Sequence, residues 1–250
     1  MKIEILGVKI NIIDFEEAIK KIEEFLLSDS SHQVATINPE FVLSAQKNND
    51  FKTILNNADL ATCDGAGLSW AGNFLYCAKM PRVTGVDLTE KLFVQPLSNS
   101  KIYLLGGDDE VAKAVKDKYL DAPIVGAENG GQIKTGSYLL ENNKEVLSRI
   151  NQSRANILLV AFGQIKQEMW IANNLKFLPN IRVAIGIGGT FDYLSGRVKR
   201  APAWMRHLGL EWLFRLLHQP KRITRIFKAT IFFVYKIVRE RLKIKKTCHV

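Results

Sequence analysis

Over roughly its first three-quarters the chain alternates short apolar runs with stretches whose apolar residues recur at helical spacing. Ile3–Ile13 reads as a strand or as a hairpin turning at Gly7. Asp14 to about Leu27 reads as a helix that Asp14 and Glu17 open with a capping box. Gln33–Ile37 predicts a strand, and Pro39 opens a helix to about Gln46. Asp59–Cys63 predicts a strand, Gly67–Ala78 a helix, and Asp87-Leu-Thr-Glu90 a second capping box. The series continues as strand Ile102–Leu105, helix Asp109–Tyr119, strand Ile124–Val125 and helix Tyr138–Gln152. It closes with strand Ile157–Phe162, helix Gln167–Phe177 and strand Val183–Ile187. Strands separated by helices predict parallel pairing through crossovers. The expected fold is therefore α/β, a Rossmann-like open and mostly parallel sheet with flanking helices. After Phe191 strands stop, and Ala201–Lys246 reads as helix broken near Gly209 and Pro220. This predicts an α/β body over residues 1–198 and a helical appendage over 199–250.

Charge sharpens that division. The net charge is +10, yet Arg200–Val250 holds 13 Lys/Arg against only Glu211 and Glu240. The preceding residues are close to neutral, so the appendage carries the excess and calls for a polyanionic partner. Within Arg222–Lys246, apolar residues recur at Ile223, Ile226, Phe227, Thr230, Phe233, Val234, Ile237, Val238 and Leu242. Basic residues lie between them. Such a helix suits an anionic membrane interface; the alternative is a helix packed on the body with a solvated basic face. Nucleic acid fits less well, because the bulky residues form a face and not an interleaved stacking platform. No run reaches the roughly 18 apolar residues that a membrane span needs, and Met-Lys-Ile-Glu-Ile is no signal peptide. Cys63, Cys77 and Cys248 are scattered and lack metal-ligand spacing, which fits a reducing cytoplasm.

In an open α/β sheet, ligands bind where strands end and helices begin. The residues there are Thr36-Ile-Asn38-Pro39, Asp64-Gly65, Gln167-Glu168 and Gly188-Gly189-Thr-Phe-Asp192, with Arg82-Val-Thr84-Gly85-Val-Asp87 between them. Asp64 fits a general base at a strand end, and it equally fits a helix N-cap. Arg82 can neutralise a phosphate, or be a solvated arginine after a proline turn. Asn38 and Gln167 can hydrogen-bond a sugar or nucleobase, or act as helix caps. The glycines at 186–189 do not form G-x-G-x-x-G and follow the last strand, so they are no dinucleotide fingerprint. There is no P-loop, no G-x-S-x-G and no D-x-D pair, and the four histidines show no ligand spacing. No metal or other cofactor is expected.

Taken together, Thr36-Ile-Asn38-Pro39-Glu40, Ala58-Asp59-Leu60, Asp64-Gly65 and Arg82…Asp87 resemble the WecG/TagA/CpsF family of bacterial glycosyltransferases. So do Gly163…Gln167-Glu168, Gly188…Asp192, Ser195-Gly196, Arg200-Ala-Pro202-Ala-Trp204 and Gly209-Leu-Glu211-Trp212-Leu-Phe-Arg215. Ile165 stands where the family's loop usually has proline. The resemblance implies inverting transfer of an N-acetylmannosamine-type sugar from a UDP donor. The acceptor would be the 4-hydroxyl of polyprenyl-diphosphate-linked N-acetylglucosamine, for a surface polymer such as teichoic acid or capsule. UDP-N-acetylmannosaminuronate and a UDP-hexose are alternative donors. By the same resemblance Asp64 would be the base. Thr36, Asn38, Arg82 and Gln167 would line the site, and Gly188, Gly189 and Asp192 would help to hold UDP. Arg215, Arg222 and Arg225 would meet the lipid diphosphate once the appendage reached the inner face of the cell membrane. A homo-oligomer is compatible with these features, and no nucleic-acid partner is expected.

Overall fold

The computed structural model describes residues 1–108, 110–134, 136–218 and 228–247. Strands β1 (Lys2–Ile5) and β2 (Val8–Asn11) form an antiparallel hairpin of their own. Its turn, Leu6-Gly7, has φ of 49° and 78°, the double left-handed turn that matches strand twist. The Asn11 carboxamide accepts the Ala61 N–H at 3.0 Å, which docks the hairpin beside the main sheet.

Helix α1 (Phe15–Leu27) starts with the expected capping box, Asp14 and Glu17 exchanging hydrogen bonds at 2.9 Å. Strand β3 (His32–Ile37) leads into α2 (Pro39–Ala45), which follows Asn38 as its cap. A helix not expected from sequence, α3 (Asn49–Asn57), comes next and is capped by Asn48. Its pattern is thin because only Phe51 and Leu55 are buried. Then follow β4 (Leu60–Cys63), α4 (Ala66–Tyr76), α5 (Gly85–Val94), β5 (Ile102–Gly106), α6 (Val111–Lys118) and β6 (Ile124–Glu128). The series ends with α7 (Asn143–Ser153), β7 (Ile157–Ala161), α8 (Lys166–Asn174), β8 (Val183–Gly186) and α9 (Thr190–Leu194).

Two expected starts are corrected. Asp87 does not cap α5; Thr84 does, accepting the Asp87 N–H at 3.1 Å and donating its hydroxyl to the Asp87 carboxylate at 2.7 Å. In the first turn the Asp87 side chain is then free to meet Arg200 at 2.6 Å. Helix α7 begins at Asn143 and not near Tyr138, because Leu140 is drawn into a bridge with Ile133.

The six strands β3–β8 form one parallel sheet in the order β4-β3-β8-β7-β5-β6. This is the expected architecture. Alternate strand residues feed opposite faces. Val34, Leu104, Leu159 and Ile185 pack under α1, α5, α6 and α9. Ala35, Ile37 and Ala61 face α2, α3, α4 and the hairpin. Tyr103, Leu158 and Val160 face α7 and α8 on that same side.

Beyond the sheet come α10 (Ala203–His207), α11 (Glu211–His218), a π-helical turn over Lys228–Phe232, and α12 (Phe233–Thr247). The apolar periodicity of α12 has two fates. Phe233 and Ile237 are fully buried with Leu68, Leu75 and Phe41, whereas Val234, Val238 and Leu242 are exposed. Ile223, Ile226 and Phe227 lie outside the described residues. Among the described residues, no helix is long and apolar enough to cross a membrane.

Candidate active site

The site residues meet because β4, β3 and β8 are neighbours that end on the same edge. Ile37 and Cys63 are register partners, and the Asp64 N–H donates to the Ile37 carbonyl at 2.7 Å. Asp64 therefore leaves β4 beside Asn38 leaving β3. The next residue, Gly65, has φ of 100°, a conformation open to glycine. Gly65, and not Asp64, also holds the N-cap position of α4. The cap role weighed for Asp64 is not what the backbone uses it for.

Segment 82–85 folds over this edge. Val83 donates to the Cys63 carbonyl at 2.8 Å and accepts the Thr62 hydroxyl at 3.0 Å. Arg82 is thus fixed beside the end of β4. Burial first, and the Asp64 carboxylate second, push the Cys63 thiol up to about 12, while Arg82 pulls it down. Cys63 is therefore a protonated, inert wall of the site, next to both charges. At Gly85 an added Cβ would lie 3.3 Å from the Thr36 hydroxyl and 3.6 Å from the Ile187 backbone. The start of α5 consequently sits against the ends of β3 and β8.

Thr36 is buried and donates to the Gly186 carbonyl at 2.9 Å. Asn38 caps α2, accepting the Phe41 N–H at 3.1 Å, which realises its cap alternative. Gln167 is buried and is not a cap: its Oε1 accepts the Gly188 N–H at 2.9 Å and its Nε2 donates to Glu168 at 2.6 Å. Gly188 has φ of 56° and open space where a side chain would stand; Gly189 precedes α9, and the Asp192 carboxylate lies close to it. Arg82 donates to the Arg206 carbonyl at 2.7 Å, so it is anchored and not a solvated arginine.

That last contact brings the C-terminal segment to the site. Gly209, between α10 and α11, has φ of 74° and lies so close to Ala66 that no side chain fits between them. Arg206 thus touches Arg82, and Gly209 touches Ala66, two residues beyond Asp64. Arg200 binds Asp87 from the same segment, with Arg206 at 3.8 Å from that carboxylate. Arg222 and Arg225 lie outside the described residues, as does the Arg215 side chain. Among the described residues no three His, Cys, Asp or Glu side chains gather as a metal site.

One residue escaped the sequence reading. Glu168 is fully buried, and burial pushes its carboxyl up to about 7, against hydrogen bonds from Gln167 and the Ile165 N–H that lower it. Its only sequence signal is its place beside Gln167, because nothing in a one-dimensional pattern marks a buried glutamate.

An open parallel sheet whose carboxyl edge collects an aspartate, an arginine and glycine turns has the architecture of an α/β ligand-binding enzyme. The family model described as "Glycosyl transferase WecG/TagA/CpsF family" matches residues 3–247, and the chain belongs to that family. It is a glycosyltransferase, as the sequence blocks imply. Its relatives include proteins of Staphylococcus aureus strains MRSA252, MW2 and NCTC 8325 / PS 47. Each is named N-acetylglucosaminyldiphosphoundecaprenol N-acetyl-beta-D-mannosaminyltransferase. Each is 30% identical to this chain, over 98% of it and 95% of the relative. One local departure stands out. Ile165 has φ of 71°, whereas a proline ring holds φ near about −65°, so the loop before α8 follows a path that proline cannot take.

Proposed function

We propose that this glycosyltransferase moves an N-acetylmannosamine-type sugar from a UDP donor to polyprenyl-diphosphate-linked N-acetylglucosamine. The observation that carries the reading is the placement of Asp64. It leaves β4 beside Asn38, with Arg82 fixed next to it, in a chain matched almost end to end by relatives with that activity in their name. In the proposed reaction Asp64 takes the proton of the acceptor 4-hydroxyl. The oxygen attacks the anomeric carbon, the bond from that carbon to the UDP oxygen breaks, and UDP leaves with the electron pair. Attack opposite the leaving group inverts the anomeric centre. Arg82 and the arginines at 215, 222 and 225 meet the phosphate charge, with no metal required.

In this reading the reaction takes place at the inner face of the membrane, where the lipid-linked acceptor is met. In support, Phe232, which ends the π-helical turn, and Tyr235 at the start of α12 are exposed and stacked on each other, and α12 exposes Val238 and Leu242 farther along. Lys236, Arg239 and Lys243 share that helix. Exposed aromatic and aliphatic side chains among cations suit an anionic interface.

The test is to incubate the full chain with lipid-linked N-acetylglucosamine and a panel of UDP-sugars, and to read the disaccharide lipid by mass. UDP-N-acetylmannosamine is expected to be turned over, with EDTA present. Preference for the uronate or a hexose donor would overturn the donor assignment. Activity lost to EDTA and restored by Mg²⁺ would overturn the metal-free chemistry.

A further inference from the structure

Glu168 is a carboxyl group with no contact with solvent, one residue from a side chain of the site, and the reaction above does not use it. Its two oxygens divide their work. Oε2 accepts the Ile165 N–H at 3.0 Å, which fixes the turn between β7 and α8. Oε1 accepts Gln167 Nε2 at 2.6 Å. That bond decides which way the Gln167 carboxamide faces. With Nε2 committed to Glu168, Oε1 points away and accepts the Gly188 N–H at 2.9 Å, in the turn that follows β8. A flipped amide would set an N–H against the Gly188 N–H, two donors facing each other in a partly buried place, which is unfavourable.

The chain of bonds Ile165–Glu168–Gln167–Gly188 thus ties two separate turns at the carboxyl edge. It lies flat on the end of β8, because Gly186 has no side chain; a Cβ there would collide with both Glu168 and Gln167. Its margins are uncrowded. Gly163 and Gly188 both have left-handed φ, and nothing lies within 4 Å of where a Cβ would stand on either. A hydrogen-bonded strut between two open glycine turns is more than core packing requires.

We propose that Glu168 is a positioning residue for donor binding: acting through Gln167, it sets the Gly188–Gly189 turn that receives the donor's nucleotide diphosphate. This rests on the UDP-sugar reading of the site. Glu168 touches no substrate; it determines where the backbone that does so lies. The Gln167 carboxamide, held at both ends, is the connecting part.

The test is calorimetric titration of the full chain with UDP alone. Glu168→Gln keeps the size of the side chain but replaces one acceptor oxygen with a donor, so either Ile165 or Gln167 loses its partner. UDP affinity is expected to fall at least tenfold, with KM for the donor sugar rising more than kcat falls. Gln167→Met breaks the same strut from the other side and is expected to fall as far. The double variant is expected to bind no more weakly than the weaker single one, since residues in one network do not add. Multiplying losses would overturn the relay, as would wild-type affinity in Glu168→Gln. Should Glu168→Gln fail to fold, Glu168→Asp carries the test: it keeps the charge, withdraws it from Gln167, and is expected to show the same tenfold loss. No UDP binding by the wild-type chain would instead refute the donor reading itself.

Discussion

Thr36, Thr62, Gln167 and Glu168 at the carboxyl edge of the sheet are polar and buried, and each is hydrogen-bonded to backbone or to another of the set. On α12 and the turn before it the arrangement is reversed: Phe232, Tyr235, Val238 and Leu242 are apolar and exposed. At the edge, buried polar groups are tolerated because every one shapes a turn that must hold its place. On α12, exposed apolar groups are tolerated where a partner covers them during function. The proposed function thus assigns preorganisation and docking to different parts of one chain. A third segment, which holds Arg206 and Gly209, reaches Arg82 and Ala66 at the edge.

The hardest test of the edge as a chemical centre is Asp64→Asn. The amide keeps the shape and cannot take a proton, so kcat is expected to fall about 10³-fold, within the range of general-base catalysis. UDP binding should stay within a few-fold of wild type, as calorimetry would report. Substantial remaining turnover would remove Asp64 as the base and leave the edge a binding surface only.

That edge was largely legible in the sequence. Strands β4, β5, β7 and β8, and all but the first residue of β3, are short runs buried on both faces, and a parallel sheet makes such runs conspicuous. The strand ends then follow, and with them Asp64, Arg82 and Gly188. What stayed hidden depends on three-dimensional context. Helix α3 buries only two apolar side chains, too few to draw a stripe among its asparagines. Thr84 and Asp87 both have capping chemistry, and sequence alone does not say which one begins the helix. Glu168 lies in a strand-end block of the sequence, but its complete burial against β8 shows only in the fold.

The second comparison lies within α12 itself. Periodicity announced an apolar face without saying what it faced. Phe233 and Ile237, one turn apart, are buried with α2 and α4, whereas Val234, Val238 and Leu242 are exposed. Phe233→Ala is therefore expected to cost about 3–5 kcal/mol of stability, the usual penalty for deleting a buried aromatic ring. Denaturant unfolding would measure it. A loss below about 1 kcal/mol would mean that α12 is not part of the core and that all of it is available for docking. The same contact makes truncation at residue 200 a poor test of docking, because it strips a side chain from the core along with the charge.

The smallest expected effect separates charge from packing on α12. Lys236, Arg239 and Lys243 can be changed to Gln together without touching Phe233 or Ile237. Arg241 is better left alone, since its guanidinium holds the Leu75 carbonyl at the end of α4. Near an anionic bilayer each basic residue contributes about 1 kcal/mol, so the triple variant should lose vesicle affinity by about fivefold per charge removed. Folding stability should barely change, because the Lys243–Glu240 pair is exposed and such pairs contribute little. Co-sedimentation with phosphatidylglycerol-containing vesicles, at two salt concentrations, reads the first quantity and urea unfolding the second. Equal vesicle binding by the triple variant and wild type would shift docking onto the apolar side chains alone. In that case Phe232, Tyr235 and Leu242 would be the residues to change next, and the salt dependence of binding should be absent from both proteins. A fall in vesicle binding that high salt reproduces in the wild type would instead assign the attraction to charge, with the exposed aromatic rings adding depth once the helix has arrived.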